Sequence, residues 1–272
     1  MRMFDAHRTA KWAVVEVVSV FCVVLLAIWC IRISPISKWQ RQLTQWNYAS
    51  HVLMIVLPLA VLCLRRRKPA DFGLSFRTGR RDLLWGLLLF TAIALPTAVA
   101  YVCGWVVLKP PSQRLPIVDT IIFQLVFSAF GEELLFRGYF QTRLNDSLGR
   151  RWKIGAIRFG PSLIVVAGIF GLAHLLNPFN PLSGHFRLDW TALLITSVVG
   201  LHLGLLREAT GTLIAPTLVH FADVWMDCFR ETSTFSLAVG VGWALAWFLL
   251  FMIPRAGQTA TAGPDQAMTA DE

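Results

Sequence analysis

"LLWGLLLFTAIALPTAVAYVCGWVVL", residues 83–108, contains no charged side chain. A helix needs about 20 apolar residues to cross a hydrocarbon core roughly 30 Å thick, so a run of this length reads as a membrane span. The stretch "WAVVEVVSVFCVVLLAIWCI" (12–31) is a second such run, interrupted only by Glu16. Working outward from these two, further apolar segments fall near 48–64, 117–140, 161–177, 190–206, 211–228 and 235–253. Inside lipid each backbone N–H and C=O needs a partner within its own segment, which selects helices. The expected fold is all-α: a polytopic membrane helical bundle of about eight transmembrane helices.

The composition points the same way. Hydrophobic residues make up 56% of the 272 residues and charged residues only 15%, against about 25% charged in a soluble domain. The net charge of +9 raises nucleic acid as a partner. That class is set aside because the basic residues are confined to short connections between apolar runs, where they act as topology signals. Cys22, Cys30, Cys63, Cys103 and Cys228 all lie in or beside apolar stretches, with no C-x-x-C pair. They read as packing residues, not as a disulfide framework or zinc ribbon. The first apolar run follows "MRMFDAHRTAKW", lacks a small-residue cleavage site and is read as an uncleaved first helix.

With eight spans, seventeen lysines and arginines fall on the side of the N-terminus, including the run Arg65, Arg66, Arg67 and Lys68. Seven fall on the opposite side, and only Arg137 is left inside a span. This asymmetry predicts that both termini face the cytoplasm. Breakers occupy the connections at "KPPSQRLP" (109–116) and "NPFNPLSG" (177–184). The small, polar tail 254–272 is expected to be disordered.

Ionisable groups inside a membrane are costly and mark function by default. Three places carry them here. The first is "FGEELLFRGYF" (130–140), where Glu133 and Arg137 are four residues apart and share a helix face. Glu132 points about 100° away from Glu133 and stays available. The second is His174 in "IFGLAHLLNP", and the third is His220 in "TLIAPTLVHFADVW", with Asp223 one turn on. An embedded carboxylate and two imidazoles from separate spans form a hydrolytic set: a base for water and donors for an oxyanion. His7, His51, His185 and His202 rank lower; His51 begins a span and His202 has no evident partner.

These residues carry a family resemblance. "EELLFR" (132–137) matches an E-E-x-x-x-R motif and "FGLAH" (170–174) an F-x-x-x-H motif. "LGLLREATGTLIAPTLVH" (203–220) is similar to the segment that ends in the family's last histidine, and "ADFGLSFRTGRRDLLWG" (70–86) to its lead-in. Together they resemble the type II CAAX prenyl endopeptidase and bacteriocin-processing family of intramembrane proteases, also called Abi or CPBP. The resemblance implies N-terminal helices over 1–69, a protease core over 70–228, a last helix over 229–253 and a cytoplasmic tail over 254–272. It also implies a multi-pass protein of a bacterial inner membrane, acting on a membrane protein or peptide substrate. By the same resemblance Glu132 and His174 activate water, His220 stabilises the oxyanion, and Glu133 with Arg137 holds the helix. The family's usual asparagine after the last histidine is replaced here by Asp223, which is carried as a residue that orients His220 or hydrogen-bonds when protonated.

No H-E-x-x-H is present, and a metal-free glutamate mechanism is expected, without a cofactor. Zinc on Glu132, His174 and His220 is the alternative. A non-enzymatic immunity or interaction protein and a small proton-coupled transporter are the competing classes. One expectation is awkward: the segment limits put Glu132 about 8 Å and His174 about 20 Å from the cytoplasmic boundary.

Overall fold

The computed structural model describes residues 2–44, 46–75, 79–109, 117–150, 152–179, 184, 186–226 and 229–253. The tail 254–272, Cys228 and most of both breaker-rich connections lie outside the described residues. Helices dominate: α1 (Arg2–Ile33), α2 (Pro35–Thr44), α3 (Tyr48–Leu64) and α4 (Gly79–Val102) come first, with a 3₁₀ turn at Pro69–Phe72. They are followed by α5 (117–148), α6 (Pro161–Leu175), α7 (Trp190–Thr210), α8 (Ile214–Trp225) and α9 (Ser233–Leu250).

Each expected apolar segment has a helical counterpart, but not each is a complete span. Among the described residues four helical stretches are long and apolar enough to cross a membrane: Ala10–Ile33, Gly79–Val102, Trp190–Thr210 and Ser233–Leu250. The pair α2 and α3, bent by 108°, makes a fifth if taken as one broken span. Length and composition thus give four or five spans among the described residues and leave the count of about eight unconfirmed. The segments expected at 161–177 and 211–228 become α6 and α8, of 15 and 12 residues. At 1.5 Å per residue they reach only about 22 and 18 Å. Two elements were not expected. One is α2, with Ile36, Trp39 and Leu43 exposed along one face. The other is a hairpin of β1 (Trp152–Ile154) and β2 (Ile157–Phe159), paired antiparallel with Lys153 opposite Arg158.

Two apolar clusters meet along α5 and α6. One joins α1 and α3 to α5 and α6 through Phe21, Leu135, Phe136, Phe140, Val166 and Phe170. The other joins α4, α7, α8 and α9 through Leu89, Ile93, Leu203, Leu206, Val219 and Ala246. In lipid, helices associate by close packing, so small residues sit where backbones approach. At Gly242 of α9 an added Cβ would lie 2.9 Å from the Cα of Ile93 in α4. At Gly86 of α4 it would lie 3.0 Å from the Cα of Ala215 in α8.

Polar contacts gather alternate connections at two ends. At one end, the basic end, Glu16 accepts from Tyr139 at 2.8 Å and pairs with Arg143 and Arg65 at 2.9 Å each. Arg67 pairs there with Asp146 at 2.9 Å, and Thr212 donates to Asp82 at 2.9 Å. At the far end Tyr48 donates to Asp119 at 2.6 Å, Arg32 to the carbonyl of Asn177 at 2.8 Å, and Arg230 N–H to the carbonyl of Val107 at 2.9 Å.

The helix α5 removes the depth conflict. Hydropathy ended this segment at 140, but the helix continues through the polar stretch Thr142–Leu148. Its polar side chains bond to neighbours: Gln141 donates to Glu208 at 2.7 Å, Asn145 to the same carboxylate, and Ser162 to Asn145. Glu132 thus lies sixteen residues, roughly 24 Å, from the basic end of α5. His174 lies thirteen residues, about 20 Å, from the start of α6. The two stand at the same level.

Candidate active site

Around the glutamates, α5 is not uniformly α-helical. It winds with i→i+5 hydrogen bonds over Phe123–Phe130 and Leu134–Gln141, with an ordinary α turn at Gly131–Glu133 between. Such π segments are rare and recur at functional sites.

Glu133 and Arg137 are both fully buried, and they are held as a unit. The Arg137 guanidinium donates to Glu133 Oε1 at 2.9 Å and to the Gly200 carbonyl of α7 at 3.2 Å. Its guanidinium carbon also stands 4.4 Å from the centre of the Phe170 ring. The same Glu133 oxygen accepts from His220 Nδ1 at 3.0 Å. Phe170 is a hub: its ring packs edge-on against His220 with centroids 5.8 Å apart, and its carbonyl accepts from His174 Nδ1 at 2.9 Å.

Glu132, one residue earlier, is buried but makes no hydrogen bond among the described residues. Its two oxygens face two imidazoles: Oε2 lies 3.8 Å from His220 Nε2 and Oε1 lies 3.9 Å from His51 Nε2. Three histidines therefore share one arrangement. His51 Nδ1 lies 3.0 Å from the Asn47 carbonyl, His174 Nδ1 bonds a carbonyl and His220 Nδ1 a carboxylate. These partners only accept, so each Nδ1 carries the proton and each ring presents Nε2 to its surroundings.

A cavity of about 710 Å³ adjoins this group. Glu132, His51 and His174 line it, together with apolar walls that include Phe21, Ile28, Met54 and Phe136. His220 stands behind Glu132 rather than in the lining.

The structure thus joins Glu133, Arg137 and His220 by hydrogen bonds, places Glu132 3.8 Å from His220 and sets His174 on the same cavity. Asp223 departs from its expected role. It accepts from Trp243 Nε1 of α9 at 3.1 Å, and His220 is oriented by Glu133 instead. His51, ranked low as the start of a span, faces Glu132; the signal that could have found it was the same embedded-polar rule that singled out His174. His202 is fully buried between Trp243 and Trp247, away from the cavity. As for zinc, no group of three His, Cys, Asp or Glu side chains converges as a metal site among the described residues. The alternative zinc trio of Glu132, His174 and His220 is therefore not among such groups.

Residues 114–226 match the family model described as type II CAAX prenyl endopeptidase Rce1-like. This domain supports membership of the CPBP/Abi family. The match starts later than the lead-in at 70–86, and it takes in Glu132, Glu133, Arg137, His174, His220 and Asp223 while leaving out His51. No curated protein and no solved structure matches the chain. The Rce1-like match, together with the apolar helices, supports an integral membrane protein of the protease type.

Proposed function

We propose that this Rce1-like chain hydrolyses a peptide bond of a membrane-associated protein with water activated by Glu132, and without a metal. The observation that carries the reading is a buried carboxylate without a hydrogen bond, flanked by two Nε2 atoms at 3.8 and 3.9 Å beside a large apolar cavity. Those separations exceed hydrogen-bond length and suit groups that share one intervening water. Glu132 takes a proton from that water as the oxygen attacks the scissile carbonyl carbon. The tetrahedral oxyanion receives a hydrogen bond from Nε2–H of a protonated His220, whose charge is balanced through Nδ1–H by Glu133. When the C–N bond breaks, the proton held by Glu132 passes to the leaving amine, with His174 on the same cavity assisting. Arg137 balances Glu133, which keeps the burial of that carboxylate tolerable.

The test is mass spectrometry of membrane-protein termini in cells carrying the wild-type chain or Glu132→Ala. New termini should appear only with the wild type. Identical termini in both strains would overturn the proteolytic reading. Purified protein should carry no stoichiometric zinc and should retain activity after chelation; loss of activity that zinc restores would overturn the metal-free mechanism.

A further inference from the structure

The ten-residue helix α2 (Pro35–Thr44) divides its surface into three sides. At about 100° per residue, Ile36, Trp39 and Leu43 fall on one of them. They are 52%, 61% and 65% exposed. Ser37, Gln40 and Thr44 fall on the second side, which turns towards the protein. Ser37 is fully buried, and Gln40 Oε1 accepts from the Ala49 N–H of α3 at 3.0 Å. Thr44 Oγ1 accepts from the Trp46 N–H at 3.3 Å, and the Trp46 ring stacks on Phe123 of α5 with centroids 4.3 Å apart. Lys38 and Gln42 are exposed on the third side. The helix thus spends one polar side on the protein and leaves an apolar side uncovered.

The level of α2 in the bundle follows from its neighbours. Only Ser34 separates it from Ile33, the end of the apolar stretch Ala10–Ile33. That stretch has 24 residues. Its length of about 36 Å exceeds a hydrocarbon core of roughly 30 Å, so its end reaches the boundary between acyl chains and head groups. The helix α3 packs lengthwise on α1 and α5 through Met54, Leu57, Val61 and Leu62. A bend of 108° then sets α2 nearly square to α3. We propose that α2 is an interfacial helix lying in the membrane plane, with Ile36, Trp39 and Leu43 sunk among the acyl chains and Lys38 among the head groups. Tryptophan is enriched at this level, and a cationic side beside an apolar one suits an anionic lipid surface. A second copy of the chain fits less well. A stable dimer buries about 800 Å² on each partner, more than three side chains on a ten-residue helix supply. The seat also bears on the candidate site. Gln40 ties α2 to the first turn of α3, where the Asn47 carbonyl holds His51 Nδ1 at 3.0 Å. The lipid boundary thereby steadies the helix end that carries His51.

The experiment uses the full-length chain with its five cysteines replaced, in liposomes of phosphatidylethanolamine and phosphatidylglycerol. Ile36→Cys, Lys38→Cys, Trp39→Cys, Gln42→Cys and Leu43→Cys are each labelled with a nitroxide. Collisions with oxygen, which concentrates in the acyl chains, are compared with collisions with a water-soluble nickel chelate. Labels at 36, 39 and 43 should favour oxygen and report one common depth, about 5–10 Å into the boundary. Labels at 38 and 42 should favour the nickel chelate. Nickel access at all five positions would place α2 in water and overturn the proposal. A depth that grows steadily from 36 to 43, by about 10 Å, would make α2 the descending arm of a re-entrant segment and overturn it equally. Shielding of 36, 39 and 43 from both reagents, with dipolar broadening between copies, would give the face to a second chain and overturn the lipid as its occupant.

Discussion

Glu133 shares one oxygen between Arg137 and His220, while Glu132 beside it makes no hydrogen bond. Their substitutions should separate accordingly. Glu133→Ala leaves a buried guanidinium without its partner and should destabilise the protein by about 3–5 kcal/mol, read as a fall in Tm in detergent. Glu132→Gln keeps the shape and orphans no partner, so Tm should hold while cleavage is lost; preserved cleavage would exclude Glu132 as the base. His51→Ala should lower kcat without a comparable loss of stability, measured on the same preparations. His51 marks a limit of reading residues in order. It sits at the border of an apolar run, and only the fold brings its ring to 3.9 Å from Glu132.

At the scale of elements, packing between helices relies on absent side chains. Gly242 lets α9 approach the backbone of α4, where an added Cβ would stand 2.9 Å from the Cα of Ile93. Gly242→Leu should therefore cost about 1–3 kcal/mol through overpacking, seen as a lower Tm, whereas Leu245→Ala on the exposed face of α9 should change it little. Element type was legible because an apolar run that enters lipid has no alternative to a helix. Element length was less so. Hydropathy ended α5 at 140, yet Gln141 and Asn145 are buried and bonded to Glu208 of α7, so the helix runs on to Leu148. Likewise α6 and α8 read as spans by composition and fold as shorter pieces among longer helices.

Over the whole molecule, the candidate active-site cavity is a joint product of the family domain and of helices outside it. Phe21, Ile28 and Trp29 from α1 and His51 and Met54 from α3 line it alongside Glu132 and His174. The expected boundary at residue 69 thus divides the chain in sequence and crosses the cavity in space. Deleting 1–69 should abolish cleavage even where the remaining helices, with their own core of Leu89, Ile93, Leu203 and Ala246, still insert; protease digestion and activity on one preparation would show both. The charge asymmetry further predicts that alkaline phosphatase fused after Ile253 is inactive and a fluorescent protein fused there is bright. A phosphatase-positive fusion would invert the orientation.

Composition and motif spacing by themselves determined that this chain is a bundle of membrane helices with charged groups where lipid tolerates few, because hydropathy and the cost of burying charge are local properties. Which of those groups share a pocket was decided by tertiary structure alone. The pairing of His220 with Glu133 instead of Asp223 and the approach of His51 depend on how separate helices are set side by side in depth and rotation. Those distances are fixed only when the packed faces and the buried polar contacts between helices are satisfied together.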